Sequence, residues 1–596
     1  MTAIEQVIQQ IETNKSFVLE AGAGSGKTYT LIQTLNYLLE TRGESIRLNN
    51  QKVVCITYTN VAKNEIIERL ENNPLVLVST IHEFLWDCIK RYNKQLIIEL
   101  DLLNEAMLID KPEKFNTGLK DRISEVTYDD RGYRNFEQGS LHHDDVITLS
   151  LQMFKNYQSL TQILGQKYPF IFIDEYQDTA AETIQALIDY LLERNKTKLL
   201  LGFYGDSYQN IYDEGVGSLE SFIASSKIEF VTKEDNYRSS NSVVTLLNKI
   251  RDNIVQKIPE GKESVSGSVQ FINCTNDTKA KGEKVKDYRE RISPKKDADY
   301  ENVISDLENN GWDFSEKGND KVLIIANSKV ADRAGFGNLY KTYNNRFFDP
   351  KAELLNRDNH FASFFLGSKD KKTSKERETG IEHLVSFWNN KDFNSVIKYL
   401  KRHGMISSLS KHSDKKQIED KLTKLISLRD TGTVQNVFEF CIENQLSVPS
   451  KSLQKFLKKV KVDSSTISDE DERKKAEKNK SFYTSLMQTK YSEVISVFKH
   501  IKEQTSYSTK HGTKGEEYRN VLVVIDDTSW VSMYNFEKFF DNTDDKERRK
   551  LRTKNLFYVS CSRAKENLVV LALSQMGDLA MKKIIEWFSV ENVKTI

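Results

Sequence analysis

The sequence predicts an α/β fold of two cores, each a parallel sheet covered by helices and each interrupted by an insertion. Three observations carry this reading. An apolar run, a glycine-rich loop and a helix start follow one another over residues 17–28. Short β-rich runs then alternate with helical stretches, as a parallel sheet with crossover helices requires. A later set of apolar runs brackets a long basic stretch.

The run Phe17-Val18-Leu19 leads into Ala21-Gly22-Ala23-Gly24-Ser25-Gly26-Lys27-Thr28. This is a phosphate-binding loop. Small residues let backbone N–H groups curl round phosphate oxygens, and the following helix turns the positive end of its dipole on the same anion. Ala21 stands where the strict pattern has glycine. Ala23, Gly24, Ser25 and Gly26 form the cradle, Lys27 meets the β- and γ-phosphates, and Thr28 meets Mg²⁺. Strands are expected over 53–57 and 75–78, and helices over 28–40 and 61–70. The strand expected over 170–174 ends in Asp174-Glu175-Tyr176-Gln177-Asp178. Such an acidic pair often caps a helix. Opposite a phosphate loop it offers a metal ligand, Asp174, and a base for the attacking water, Glu175. Further strands are expected over 199–204, 322–326, 521–525 and 568–573. No short-period internal repeat is present.

A chain of 596 residues that is 38% hydrophobic has room for about four domains with cores of their own. No apolar run approaches the ~20 residues of a membrane span, and the sequence opens without a signal peptide, so a cytoplasmic protein with no membrane partner is expected. The five cysteines, Cys55, Cys88, Cys274, Cys441 and Cys561, form no C-x-x-C pair and read as reduced structural thiols. Formal charge is only +1, yet residues 341–500 carry 31 Lys+Arg against 21 Asp+Glu. The clusters Lys455, Lys458, Lys459, Lys461 and Lys474, Lys475, Lys478, Lys480 fit either a phosphate-tracking surface or a solvated helical face, since an acidic run from Asp469 to Glu472 separates them.

Other strings follow in order: Gln6; Thr57-Tyr58-Thr59-Asn60-Val61-Ala62; Ser79-Thr80-Ile81-His82; Gly205-Asp206-Ser207-Tyr208-Gln209-Asn210-Ile211-Tyr212; Asn236-Tyr237-Arg238-Ser239; His511-Gly512-Thr513-Lys514-Gly515-Glu516-Glu517; and Tyr558-Val559-Ser560-Cys561-Ser562-Arg563-Ala564. With the phosphate loop and acidic strand end, this set resembles the superfamily 1 helicases of the UvrD/Rep type. The resemblance implies two RecA-like P-loop NTPase cores. The first is drawn from 1–90 and 150–228 with a small insert over 91–149; the second is drawn from 229–340 and 501–596 with a basic, mostly helical insert over 341–500.

By the same resemblance ATP and Mg²⁺ are the cofactors, Arg238 and Arg563 reach the γ-phosphate, and Gln209 senses it. Gln6 reads the adenine edge, Tyr237 stacks on its face and Glu517 approaches the ribose. Single-stranded or tailed duplex DNA is expected at Tyr58, Asn60, Thr80, His82, Tyr212 and His511, with core packing an equal alternative for Tyr58 and Tyr212. After Tyr212, relatives carry a tryptophan two residues on, where this chain has Asp213-Glu214-Gly215. One stacking platform is therefore missing, which bears on single-strand grip and not on ATP chemistry.

The stretch from His511 to Asp527, with Trp530 and Tyr534-Asn535-Phe536, resembles a branch that includes the helicase-like subunit of Gabija antiphage defence, which works beside an OLD-family nuclease. Too few residues follow Arg563 for a fused nuclease domain, so DNA cutting is expected from such a partner. The resulting expectation is an ATP-dependent 3′-to-5′ translocase or helicase on single-stranded DNA. The alternative is a regulatory DNA-sensing ATPase that switches a bound nuclease with little unwinding. Intact Lys27, Asp174, Glu175, Arg238 and Arg563 count against a non-enzymatic scaffold.

Overall fold

The computed structural model describes residues 1–596 apart from 111–116, 130–133, 212–214, 264, 325–326, 370–375, 405–411, 510–514 and 529–531. It divides into two compact units, Met1–Asp277 with Asp526–Ile596, and Thr278–Ile525.

The first unit holds a parallel sheet of six strands: β1 (Phe17–Ala21), β2 (Val53–Thr57), β3 (Val76–Thr80), β4 (Phe170–Asp174), β5 (Leu200–Gly205) and β6 (Glu229–Lys233), ordered β3-β2-β4-β5-β1-β6. Strands covered on both faces need apolar residues at successive positions, and β1, β2 and β5 are buried throughout. Side chains alternate between faces. Val54, Ile56, Ile171, Ile173 and Phe203 join one core cluster, while Val53, Cys55, Phe172 and Tyr204 join another. The register sets Glu20 of β1 opposite Gly205 of β5, and Asp174 of β4 opposite Tyr204. The carboxyl ends of β1, β4 and β5 therefore lie in a row, where open α/β sheets bind ligands.

A second set of six strands divides between the units. In the first unit β7 (Val269–Asn273) pairs in parallel with β11 (Ala564–Ala572) and β12 (Val593–Thr595). In the second, β8 (Lys321–Ile324) pairs in parallel with β9 (Tyr507–Thr509) and β10 (Tyr518–Ile525). The fold is thus α/β, with two parallel six-strand sets flanked by helices, as in two RecA-like cores. The second unit adds a helical region whose own core includes Tyr343, Phe361, Phe365, Phe438, Phe482 and Tyr491.

The strands at 53–57 and 170–174 occur over the expected residues; those at 75–78 and 199–204 are displaced by one or two. The helix expected to end at 40 runs over Lys27–Leu48. Gly43 weakens the helix without ending it, and a Cβ there would lie at an ordinary 3.7 Å from Leu75 Cδ1. Positions 149, 340 and 500 fall inside helices His143–Asn156, Gly337–Arg346 and Tyr491–Ile501. All five cysteines are buried and none is in a disulfide. Among the described residues no helix is long and apolar enough to cross a membrane.

Gly202 is required by the packing of β5, since a Cβ there would lie 2.5 Å from the Phe172 ring and 2.9 Å from Phe17. Gly202→Ala should overpack the sheet and destabilise the unit by about 1–3 kcal/mol, read as a lower denaturant midpoint. An unshifted midpoint would contradict this packing.

Candidate nucleotide site

The site is built from loops at those three strand ends, all within the first unit. Helix α1 (Ala3–Glu12) begins with a capping box in which Thr2 and Glu5 satisfy each other's backbone N–H. Helix α2 (Lys27–Leu48) does not: its N-cap, Gly26, makes no side-chain cap. Its first-turn N–H groups are available to an anion. Gly24 and Gly26 have φ of 73° and 77°, in the left-handed region. A Cβ on Gly24 would lie 2.6 Å from Arg238 Cβ. The Ser25 hydroxyl is buried with no hydrogen-bond partner. An open helix end, an unanswered hydroxyl and a loop closed to side chains fit a phosphate group.

Lys27 Nζ lies 3.4 Å from Glu175 Oε1, with its side chain only 10% exposed. Burial works against its charge, but the carboxylates of Glu175, Asp206, Asp174 and Glu20 outweigh it and hold the ammonium above its ordinary range. Asp174 is buried and accepts the Glu175 backbone N–H at 3.1 Å. Glu175 has φ 51° and ψ 46°. This left-handed backbone costs a non-glycine residue about 1–2 kcal/mol. It joins β4 to the tight turn Tyr176–Asp178 and aims the carboxylate at Lys27.

Gln209 donates from Nε2 to Asp206 Oδ2 at 2.9 Å, and its Oε1 accepts from Arg563 Nη2 at 3.3 Å. Arg563 is 1% exposed. Burial and the neighbouring Arg238 guanidinium push it down from its ordinary range, so the site carries positive charge that an anion would relieve. Arg238 Nη1 donates to the Ser562 carbonyl at 3.1 Å. Asn236 fastens this segment to the loop, its Nδ2 donating to Ala23 O at 3.1 Å while its Oδ1 accepts the N–H groups of Arg238 and Ser239. Tyr237 donates its N–H to Gly24 O at 2.8 Å and leaves its ring 49% exposed beside the loop. Gln6 is half-buried on α1, its Nε2 donating to Met1 O at 3.4 Å. Glu517 belongs to the second unit, exposed, just before β10.

Sequence reasoning passed over a buried polar group beneath the loop: Glu20, Asp206, Arg251, Tyr558 and Gln256. Gln256 Nε2 donates to Ala23 O at 2.9 Å, and the Ala23 N–H donates to Tyr558 OH at 3.2 Å. The readable signal was Glu20 itself, a carboxylate within an apolar strand run.

Of the nucleic-acid candidates, Tyr58, Asn60, Thr80 and His82 gather at the carboxyl ends of β2 and β3, where Thr57 pairs with Thr80. Tyr58 is 47% exposed rather than packed in the core. Thr80 also caps helix Ile81–Ile89 through a capping box with Glu83. The His82 ring packs 4.7 Å from that of His143. Tyr212, Asp213, Glu214, His511–Lys514 and Trp530 lie outside the described residues. In the second unit, Lys455, Lys458, Lys459 and Lys461 are exposed on and just beyond helix Lys451–Val460, and Lys474, Lys475, Lys478 and Lys480 on helix Glu470–Gln488. The acidic run between them starts the second of these helices, where Asp469 Oδ1 accepts the Glu472 N–H at 2.7 Å and the acids occupy the first turn.

Residues 4–214, which include the loop, the acidic pair and Gln209, match the AAA domain family. Over 97% of its length the chain is 28% identical to "Gabija protein GajB" of Bacillus cereus strain HuB5-5, covering 96% of that protein. The ATP-dependent DNA helicase PcrA of Bacillus subtilis strain 168 is 24% identical over 42% of this chain and 39% of its own, and PcrA of Staphylococcus aureus strain Mu50 23% over 42% and 40%. The chain is thus similar to ATP-dependent DNA helicases over part of its length and to the Gabija protein over nearly all of it. The likeness to the Gabija protein extends through both units, while the match to the AAA domain family is confined to residues 4–214.

Gly24→Ala forces a Cβ against Arg238 and an L-residue into φ 73°. It should weaken binding of a fluorescent ATP analogue at least about tenfold while the protein stays folded. Unchanged affinity would count against the loop as a phosphate cradle.

Proposed function

We propose that the chain is an ATP-dependent DNA translocase or helicase that moves 3′ to 5′ on single-stranded DNA and works beside a partner nuclease. The observation that carries this is the convergence of four separate segments, in which Lys27 pairs with Glu175, Arg563 donates to Gln209, and the Glu175 carboxylate acts on the buried Arg563. Phosphoryl transfer asks the protein for positioning and charge stabilisation above all. Lys27 neutralises the β- and γ-phosphates. Glu175 takes the proton of the attacking water, while Gln209 reports the γ-phosphate to Arg563 and Asp206. Arg238 and Arg563 meet the charge that develops on the transferring group. Tyr237 stacks on the adenine and Gln6 reads its edge. Thr28 and Asp174 are the residues to hold Mg²⁺, which when bound neutralises phosphate charge.

Single-stranded DNA runs over the ends of β2 and β3 at Tyr58, Asn60, Thr80 and His82, gripped by stacking and backbone contacts, and the family resemblance adds Tyr212 and His511 to its contacts. The nuclease partner is supported by the likeness to the Gabija protein along nearly the whole chain. An OLD-family enzyme fits the resemblance carried by residues 511–536.

The test is ATP turnover by the purified chain with and without single-stranded DNA, beside strand separation on a 3′-tailed duplex. Stimulated turnover with poor unwinding by the chain alone is expected, because Asp213-Glu214 stands where relatives have an aromatic platform. Turnover indifferent to DNA would instead favour the regulatory ATPase. Glu175→Gln should bind nucleotide as the parent does and lose at least about a hundredfold in turnover. Arg563→Ala should keep most affinity and lose about a thousandfold in rate. Undiminished hydrolysis by either variant would remove that residue from the mechanism.

The exposed lysines of helix Lys451–Val460 should add salt-sensitive, sequence-blind binding. Changing Lys455, Lys458, Lys459 and Lys461 to Glu should flatten log affinity against log salt on single strands by about 0.7 for each phosphate no longer neutralised. An unchanged slope returns these lysines to a solvated face.

A further inference from the structure

Resting on the ATPase reading, we infer that Glu20 is a positioning residue for hydrolysis: it sets the loop bearing Gln209 and the turn bearing Glu175 against the phosphate loop. Glu20 is 3% exposed at the end of β1, and its hydrogen bonds go to Tyr176, Ser207 and Asn253, none of them assigned to the phosphates. Its carboxylate takes four hydrogen bonds. Oε1 accepts from Ser207 N at 2.8 Å, Ser207 Oγ at 2.6 Å and Asn253 Nδ2 at 3.0 Å, and Oε2 accepts from Tyr176 OH at 2.5 Å. Tyr176 follows Glu175 directly, and Ser207 lies between Asp206 and the γ-phosphate sensor Gln209.

The charge balance explains why a carboxylate is needed. Arg251, with a side chain wholly buried, lies 4.0 Å from Glu20 Oε1 and 3.4 Å from Asp206 Oδ1, one cation shared between two acids. Its Nη1 donates to Tyr558 OH at 2.7 Å, and that hydroxyl accepts the Ala23 N–H and faces Asp206 Oδ2 at 3.4 Å. Asp206 Oδ2 is also the anchor of Gln209. Without the Glu20 charge Arg251 belongs to Asp206 alone and competes with Gln209 for it. The effect falls on alignment of the hydrolytic groups, while the loop that binds phosphate keeps its glycines and Lys27.

Glu20→Gln tests this in the full chain. The amide oxygen still accepts from Ser207 and Asn253, and Tyr176 OH, a hydroxyl free to rotate, accepts from the new NH₂, so the fold is kept. ATP turnover with single-stranded DNA should lose about 10- to 100-fold in kcat, with KM and the Kd of a fluorescent ATP analogue within about threefold of the parent. Ser207→Ala, which deletes one donor and leaves the backbone N–H, should lower kcat about three- to tenfold in the same pattern and decides the matter should Glu20→Gln not fold. A parental kcat, or affinity and melting temperature falling in step with the rate, overturns the inference. A parent chain with no ATP turnover overturns the ATPase reading itself, a result told apart by the parent's own rate.

Discussion

Lys27 is a cation with little access to water, and its surroundings are organised to keep it charged. Burial alone would strip the proton from such an ammonium. Four carboxylates at three strand ends prevent this: Glu20 from β1, Asp174 and Glu175 from β4, and Asp206 after β5. The same acids would repel one another without cations among them. Arg251 beneath the loop answers Glu20 and Asp206, and Lys27 answers Glu175. A polyanion entering above would displace the Glu175 contact with phosphate oxygens and leave that carboxylate beside the place of reaction.

Register makes this possible. In a parallel sheet every strand ends on the same edge, and pairing fixes how far each reaches. Glu20 faces Gly205, and Asp174 faces Tyr204, so the three loops start at one level. Gly202 and Gly205 on β5 give the neighbouring rings of Phe172 and Tyr176 their space. A larger residue at either position would lift the strand away from its partners and separate the acids from the loop.

Much of this was legible in the chain. Apolar runs located β1 to β5 to within two residues, whereas β6, an edge strand with exposed positions, carries no continuous apolar run and was not expected. The phosphate loop, acidic pair and arginine segments were readable because their chemistry demands particular types at short spacing. The polar group beneath the loop was not, because Glu20, Arg251, Asn253 and Tyr558 meet only through the fold and no local spacing links them. The helix expected over 28–40 continues to Leu48, since Leu38, Gly43 and Ile46 are buried along it. Asn236 holds the turn of its own segment through the Arg238 and Ser239 N–H groups, but its hold on Ala23 is a tertiary contact that no local rule foretells.

The left-handed backbone of Glu175 has an evolutionary consequence. Glycine or asparagine at that position would adopt the same turn with less strain. A lineage that kept the fold while giving up hydrolysis would drift toward those residues, gaining robustness as it lost chemistry. On the ATPase reading proposed above, a glutamate at this strained point serves chemistry and not the turn, so its exchange for glycine in a relative would mark a chain that keeps the shape as a mere platform.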